Sequence, residues 1–291
     1  MLSLGEQLKR LDNEDTEQRR LLVNQARQKH AEFWQKWYPF RCTQSGDENG
    51  HAFWHVVDLI DRHLDPEGTR GLFAKFMQPG PGTLVVDVAA GARPCMLEIL
   101  IGTMPSLARY VAIESAANGS YVRKNFQESP HNGLFEMVAW DFWEGFPADR
   151  ILEIARARKA ERIITMTYWG ATYLPAREIQ AWVKAASSVS DAVYINMLTH
   201  GKFQPEVLKK KYVPLLFKLL LKGKVKLSEA IRAFSAIRTM VRFGNEFAQL
   251  MPLWKAEELQ DILTDIGTIS KVRQDIMWGQ TAFVELNYFA N

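Results

Sequence analysis

Two cysteines, Cys42 and Cys95, are all that the 291 residues contain. That is too few for a framework of disulfides or a four-thiolate zinc site, and it points to a reducing compartment. No run reaches the ~18 to 20 consecutive apolar residues that cross a bilayer. The opening residues, Met1 to Lys9 followed by acids from Asp12, lack the apolar core of a secretory signal, so the expectation is a cytoplasmic protein. Neither sign of charge dominates, with 36 Lys and Arg against 33 Asp and Glu. At 47% hydrophobic and 24% charged residues the chain is neither collagenous nor disordered, and its length allows one large domain or two small ones.

The net charge of +3 conceals a local excess. Residues 202–242 hold eight Lys and three Arg against Glu206 and Glu229, a balance of +9 that leaves −6 for the remainder. Most of these lysines surround one apolar run, from Val213 to Leu221. A nucleic-acid binder interleaves its basic residues with stacking aromatics or sets them in a recognised motif, so the pattern argues against nucleic acid as the partner. It favours peripheral membrane contact through the Lys- and Leu-rich segment 207–227, or an acidic ligand; a solvated helical face over the core accounts for it as well.

Residues 1–37 are rich in Glu, Gln, Arg and Leu, with Leu4, Leu8 and Leu11 at helical spacing, and predict one or two amphipathic helices. After a polar break at 44–50, Phe53, Val56, Val57 and Ile60 repeat with helical period; Asp65-Pro66-Glu67 then reads as the cap and first turn of a further helix, ended by the Pro-Gly pairs of 78–82. From Thr83 onward, apolar runs over 83–88, 109–114, 134–139, 162–167 and 191–197 predict strands. They are near-continuously apolar, as a parallel sheet covered on both faces requires, with room for crossover helices between them. A helix over 255–265 precedes strands at 268–276 and 281–289, whose four-residue link makes an antiparallel pair. The expected fold is α/β, a Rossmann-like, doubly wound, mostly parallel seven-stranded sheet with a C-terminal antiparallel strand pair. An N-terminal helical cap over 1–70 precedes the main domain over 71–291, which carries a helical insertion at about 202–252 after strand five.

Ligands of open parallel sheets bind beyond the carboxyl ends of the strands. Strand one runs into Val85-Val-Asp-Val-Ala-Ala-Gly-Ala-Arg-Pro94, which has Gly91 alone where a dinucleotide loop has G-x-G-x-x-G. Asp87 there would repel a pyrophosphate, but suits a ligand that is positively charged at that place, such as the amino group and sulfonium of S-adenosyl-L-methionine. Strand two ends at Glu114, 23 residues past Gly91, where an acid can accept from both ribose hydroxyls of a nucleoside. After strand three, Asp141 is placed to accept from an adenine amino group and Phe142 to pack on the ring. Singly, an acid after a strand is more often a cap or a loop residue; the ordered set of three is what points to a nucleoside.

Through Val86-Asp-Val-Ala-Ala-Gly91, Val111-Ala-Ile-Glu114, Trp140-Asp-Phe142 and the closing strand pair, the chain from about residue 71 to 291 resembles the class I S-adenosylmethionine-dependent methyltransferase superfamily. Matched to that family's hydrophobic strand, acid and G-x-G-x-G, Asp87 is the acid, Ala89 stands at the first glycine, Gly91 matches the second and Arg93 replaces the third. Arg93 would crowd the methionine end or reach its carboxylate. The resemblance implies S-adenosyl-L-methionine as cofactor, Glu114 on the ribose, Asp141 with Phe142 on the adenine, and the backbone of Thr167-Tyr-Trp-Gly170 bordering the methyl group. The insertion and the helix after it are similar to the lid-like segment of small-molecule methyltransferases of the ubiquinone/menaquinone-biosynthesis type. The implied acceptor is a small, partly apolar molecule, and helices ahead of the sheet often roof the acceptor pocket in such enzymes.

Methyl transfer is an in-line displacement with a good leaving group, so the protein contributes mainly proximity and alignment. For a hydroxyl or ring-carbon acceptor a general base helps. His200, just past strand five, is the candidate by order along the chain, and Tyr168 after strand four is the runner-up or a wall; for both, a polar strand end facing water is the competing reading. His51 and His55, one helical turn apart, offer two metal ligands and no third, so no metal site is expected. Phe33, Trp34, Trp37, Tyr38 and Phe40 read as packing between the front helices and the sheet, with a pocket wall as the alternative. A homodimer is compatible with the sequence. Two further functions stay open: a chain that keeps the fold as a binding or regulatory subunit, and one that uses the cofactor for a rearrangement or cyclisation.

Overall fold

The computed structural model describes residues 2–11, 16–42, 68–91, 95–103, 107–199, 208–264, 268–275 and 279–286. The apolar runs become strands β1 (Thr83–Val88), β2 (Arg109–Glu114), β3 (Phe135–Ala139), β4 (Arg162–Tyr168) and β5 (Ala192–Thr199). Near the C-terminus follow β6 (Thr268–Asp275) and β7 (Gly279–Leu286). They form one sheet in the order β3-β2-β1-β4-β5-β7-β6. The first five run parallel, and β7 is antiparallel to both β5 and β6. β4 and β5 outrun their predicted ends because Tyr168 still pairs with Asn196, and Thr199 with Gln280.

The alternation of side chains divides each strand between two helical layers. Val86, Ile113, Ile163 and Val193 share one core with α6 (Ala148–Arg158), α7 (Ala176–Ser187) and α10 (Ala256–Ile262). Val85, Tyr110, Ala112 and Met166 share the other with α3 (Gly68–Met77), α4 (Cys95–Thr103) and α5 (Ala116–Gln127). Fully burying each such side chain contributes roughly 1.5–3 kcal/mol. The expected division after residue 70 falls in the first turn of α3, whose Phe73 and Met77 belong to the sheet's core. The predicted helix through 53–60 and the cap at 65–67 lie outside the described residues.

A third core joins the chain's front to the insertion. Phe33 and Trp37 of α2 (Glu17–Cys42) pack on Leu216 and Leu219 of α8 (Val213–Leu221) and on Phe247 of α9 (Leu227–Leu250). The sheet lends this core only Leu198 among its fully buried residues. The aromatic cluster therefore binds helix to helix through Phe33 and Trp37, while Trp34 packs against the sheet's core as well; Tyr38 and Phe40 lie beyond the side chains described. Glu246 of α9 fastens the same joint, accepting from Lys36 Nζ at 2.7 Å, Trp37 Nε1 at 2.9 Å and Arg242 Nε at 2.9 Å. Burial raises its carboxyl, but those donors outweigh it and hold it at about 2. α1 (Leu4–Leu11) lies so close to the end of α9 that a Cβ on Gly5 would overlap the Met251 carbonyl. Among the described residues no helix is long and apolar enough to cross a membrane.

Candidate functional site

β1 and β4 are neighbours, with β2 and β3 on one side and β5 on the other, so the crossovers leave their carboxyl ends in opposite directions and open a crevice there. Both ends hold non-glycine residues in the left-handed region, Ala89 at φ +55° and Trp169 at φ +67°. Such backbone costs roughly 1–3 kcal/mol per residue and gathers at functional sites. Ala89 thus adopts a conformation that glycine enters more readily. Gly170 lets the two loops touch: a Cβ there would overlap Thr167 Oγ1 and lie 2.7 Å from Ala89 Cβ and 3.2 Å from Val88 O. Gly91, at φ +76°, has open space where its Cβ would project.

Glu114 clips the β1 loop to the tip of β2. Its Oε2 accepts from Gly91 N at 3.2 Å, and its Oε1 from Ser115 N at 3.0 Å and Asn118 Nδ2 at 3.4 Å. Glu114 as a residue is partly exposed. Asp87 is placed differently from the expected cradle. It is 1% exposed, in the layer of α3, α4 and α5, where the Tyr110 hydroxyl donates to Oδ2. Its Oδ1 has no hydrogen-bond partner among the described residues. Burial pushes the Asp87 carboxyl up to about 7; the Tyr110 hydrogen bond opposes this, the Glu114 charge adds to it, and Arg70 opposes it.

Arg70, which sequence reasoning passed over, also lies over the Tyr168 ring, 5.2 Å from its centroid. Tyr168 stacks on Trp169 at 5.0 Å and meets Phe73 at 5.9 Å, so cation and aromatic rings enclose it. The signal was present: Arg70 stands in the first turn of α3, which has no acid, against the sign that a helix dipole favours. Thr167 is fully buried, and its Oγ1 has no hydrogen-bond partner among the described residues.

At the β3 end, Asp141 is already engaged. Oδ1 accepts from Trp143 N at 3.0 Å, capping the short turn Phe142–Glu144, while Oδ2 accepts from Arg27 Nε at 3.1 Å and Nη2 at 2.7 Å. Arg27 Nη2 also reaches Glu144 Oε1 at 2.6 Å. Phe142 sets its edge on Trp182 at 5.3 Å and packs against the α6–α7 core. One turn along α2, His30 is buried between Trp143 at 5.3 Å and Tyr173 at 4.8 Å, its Nε2 3.2 Å from Leu250 O. Burial pushes this imidazole down to about 4 against the pull of that hydrogen bond, so it is neutral at pH 7 and Nε2–H donates to the carbonyl. α2 is thereby fastened over the loops after β3 and β4. Arg93, His200, His51 and His55 lie outside the described residues. Among the described residues no three His, Cys, Asp or Glu side chains gather as metal ligands.

No protein-family model and no curated protein matches the chain. Solved structures similar to it include an S-adenosylmethionine-dependent methyltransferase from Anabaena variabilis, at 12% identity and TM-score 0.46, covering 89% of this chain and 95% of that one. An O-methyltransferase family 2 protein from Planctomyces limnophilus, in complex with apigenin, has 13% identity and TM-score 0.45, covering 84% of this chain and 63% of that one. An O-methyltransferase from neocarzinostatin biosynthesis, in complex with S-adenosylmethionine and 2-hydroxy-5-methyl naphthoic acid, has 12% identity and TM-score 0.45, covering 83% and 59%. The chain spans less than two thirds of the length of the latter two proteins.

Proposed function

We propose that the chain binds S-adenosyl-L-methionine at the carboxyl ends of β1, β2 and β4 and transfers its methyl group to a small, partly apolar acceptor. The observation that carries this reading is Glu114, a partly exposed residue at the end of β2 whose carboxylate is held by the Gly91 and Ser115 N–H groups. A carboxylate offers about four acceptor sites, so this one can also receive two neighbouring hydroxyls of a ribose. Asp87 acts at the methionine end through its field rather than by contact. A cation beyond the loop would offset the cost of ionising this buried acid. The adenine end fits less well, because an amino group would share Asp141 with Arg27.

When bound, the cofactor supplies a methyl group already activated on a sulfonium. The chain's own residues position and exclude: Glu114 and the left-handed Ala89–Gly91 loop hold the nucleoside, and Thr167 and Tyr168 border the reacting end. Tyr168, enclosed by Arg70 and Trp169, acts as a wall that orients the acceptor. His200, the residue after β5, is the proposed base for a hydroxyl acceptor. The front helices and the insertion, joined through their own aromatic core, shield the acceptor side from water. Incubation with methyl-labelled cofactor and a panel of phenols and hydroxyquinones should yield a product one CH2 heavier, and markedly less of it with Glu114→Ala at limiting cofactor. Transfer undiminished in that variant would contradict the assignment.

The Arg27–Asp141 pair favours one second reading, a chain that has kept the fold as a binding or regulatory subunit and no longer takes the cofactor. Calorimetry separates the two, since heat of cofactor binding supports the first and its absence supports the second.

A further inference from the structure

The outer corner of the insertion is exposed in a way that its packing role does not require. The insertion already covers its core through Tyr212, Leu216, Leu219 and Val225, with Ala230 and Ala233 of α9, all buried. Yet four of the six large apolar side chains exposed among the described residues, Phe217, Leu221, Leu227 and Ile231, fall within 217–231. Leu221 is 86% exposed. Phe217 and Leu221 are four residues apart on α8, as Leu227 and Ile231 are on α9, so each pair lies along one helix face. The Phe217 ring meets Phe234 of α9 at 5.3 Å and brings the two faces together as one patch. The intervening turn is built rather than slack: Gly223 N donates to Leu220 O and Lys224 N to Leu219 O, each at 3.0 Å, with Gly223 at φ +65°.

Lysines rim this patch. Lys210, Lys211, Lys218, Lys222, Lys224 and Lys226 are all exposed. The only acid between residues 208 and 231, Glu229, accepts from the Lys226 backbone N–H at 2.8 Å, so it belongs to the start of α9. Contiguous exposed apolar groups ringed by cations mark an interaction surface. Three occupants differ in how they meet it. A second copy docking by the same face would set lysines against lysines. A nucleic acid would satisfy the charges but give Leu221, Leu227 and Ile231 nothing apolar to enter. A bilayer with anionic headgroups answers both features, phosphates and carboxylates for the lysines and the acyl boundary for the apolar tips.

We propose that the α8–α9 corner docks this protein on an anionic phospholipid surface, with Phe217, Leu221, Leu227 and Ile231 entering the headgroup boundary. The surface stands apart from the cofactor reading. That docking would turn the acceptor side toward the bilayer does rest on that reading, since the same two helices close over Trp169 and Tyr173 beside the β4 end.

The test is co-sedimentation of the full chain with phosphatidylcholine vesicles, with and without phosphatidylserine, at low and high salt. Binding should need phosphatidylserine and weaken as salt screens it. Lys218→Gln, Lys222→Gln and Lys224→Gln together should lower partitioning about 100-fold, about 5-fold for each lysine. Leu221→Ser with Leu227→Ser should lower it about 10-fold or more at unchanged charge. These side chains are exposed, so circular dichroism should show the variants folded, and calorimetry with S-adenosylmethionine should match the parent chain, which keeps failure here distinct from failure of the cofactor site. Equal binding to both vesicle types, no binding to either, or binding retained in the variants would overturn the proposal. So would single-stranded RNA displacing the vesicles, or a dimer that Leu221→Ser abolishes.

Discussion

Replacing Asp87 with Asn should reveal two buried groups that pull the pH dependence of stability in opposite directions. Asp87 has its carboxyl raised from 3.8 to about 7, chiefly by burial. Between those values the folded chain binds a proton that the unfolded chain has released, so stability falls as pH rises, by about 1.4 kcal/mol per pH unit and about 4 kcal/mol in all. His30 has its imidazole lowered from 6.5 to about 4, again chiefly by burial. In that window the unfolded chain binds the proton, so stability rises with pH, by about 3 kcal/mol in all. The two nearly cancel in the parent chain. Urea unfolding at about pH 5 and about pH 7.5 should show Asp87→Asn gaining about 3 kcal/mol relative to the parent over that interval. His30→Gln, which keeps a donor for Leu250 O, should instead lose about 2 kcal/mol relative to the parent over the same interval. Any pH-independent cost of either substitution drops out of the comparison. If Asp87→Asn runs parallel to the parent chain, Asp87 is not the buried, half-titrated acid that the structure places beside Tyr110.

Two further substitutions test the crevice. Gly170→Ala puts a methyl group against Thr167, Ala89 and Val88, and should cost about 1–3 kcal/mol in urea unfolding while weakening cofactor binding; a neutral effect on both would mean the β1 and β4 loops do not touch. Arg27→Gln removes the ion pairs to Asp141 and Glu144, all between partly exposed groups with side chains 41%, 34% and 51% accessible, so stability should change by no more than about 1 kcal/mol. Cofactor affinity by calorimetry should rise several-fold as Asp141 becomes available, and a fall would count Arg27 itself among the binding residues.

The sheet was legible because buried parallel strands must be near-continuously apolar, and β1 and β2 begin and end where the sequence predicts them, at 83–88 and 109–114. Glu114 was singled out by its spacing to Gly91, and the structure joins the two by a hydrogen bond, a contact that the spacing alone does not specify. For Asp87, position at a strand end does not say which layer the side chain enters; its parity does. Asp87 pairs in register with Ala112, two residues from Tyr110, so its side chain falls in the buried layer that Tyr110 occupies. Arg27 left no mark that sequence could show: it lies 114 residues from Asp141, and only the packing of α2 over the β3 loop brings them together. The aromatic residues of α2 were recognised as core, but their partners on α8 and α9 follow from tertiary arrangement rather than from any local pattern.

The central claim, a nucleoside held at the tip of β2, is tested most directly by titrating S-adenosylmethionine into the purified chain and into Glu114→Ala by isothermal calorimetry. Hydrogen bonds to a charged group are worth about 1.5–3 kcal/mol, so the parent chain should bind and the variant should bind about 10- to 100-fold more weakly. Equal affinity in the two, or no heat from the parent chain, would contradict the account.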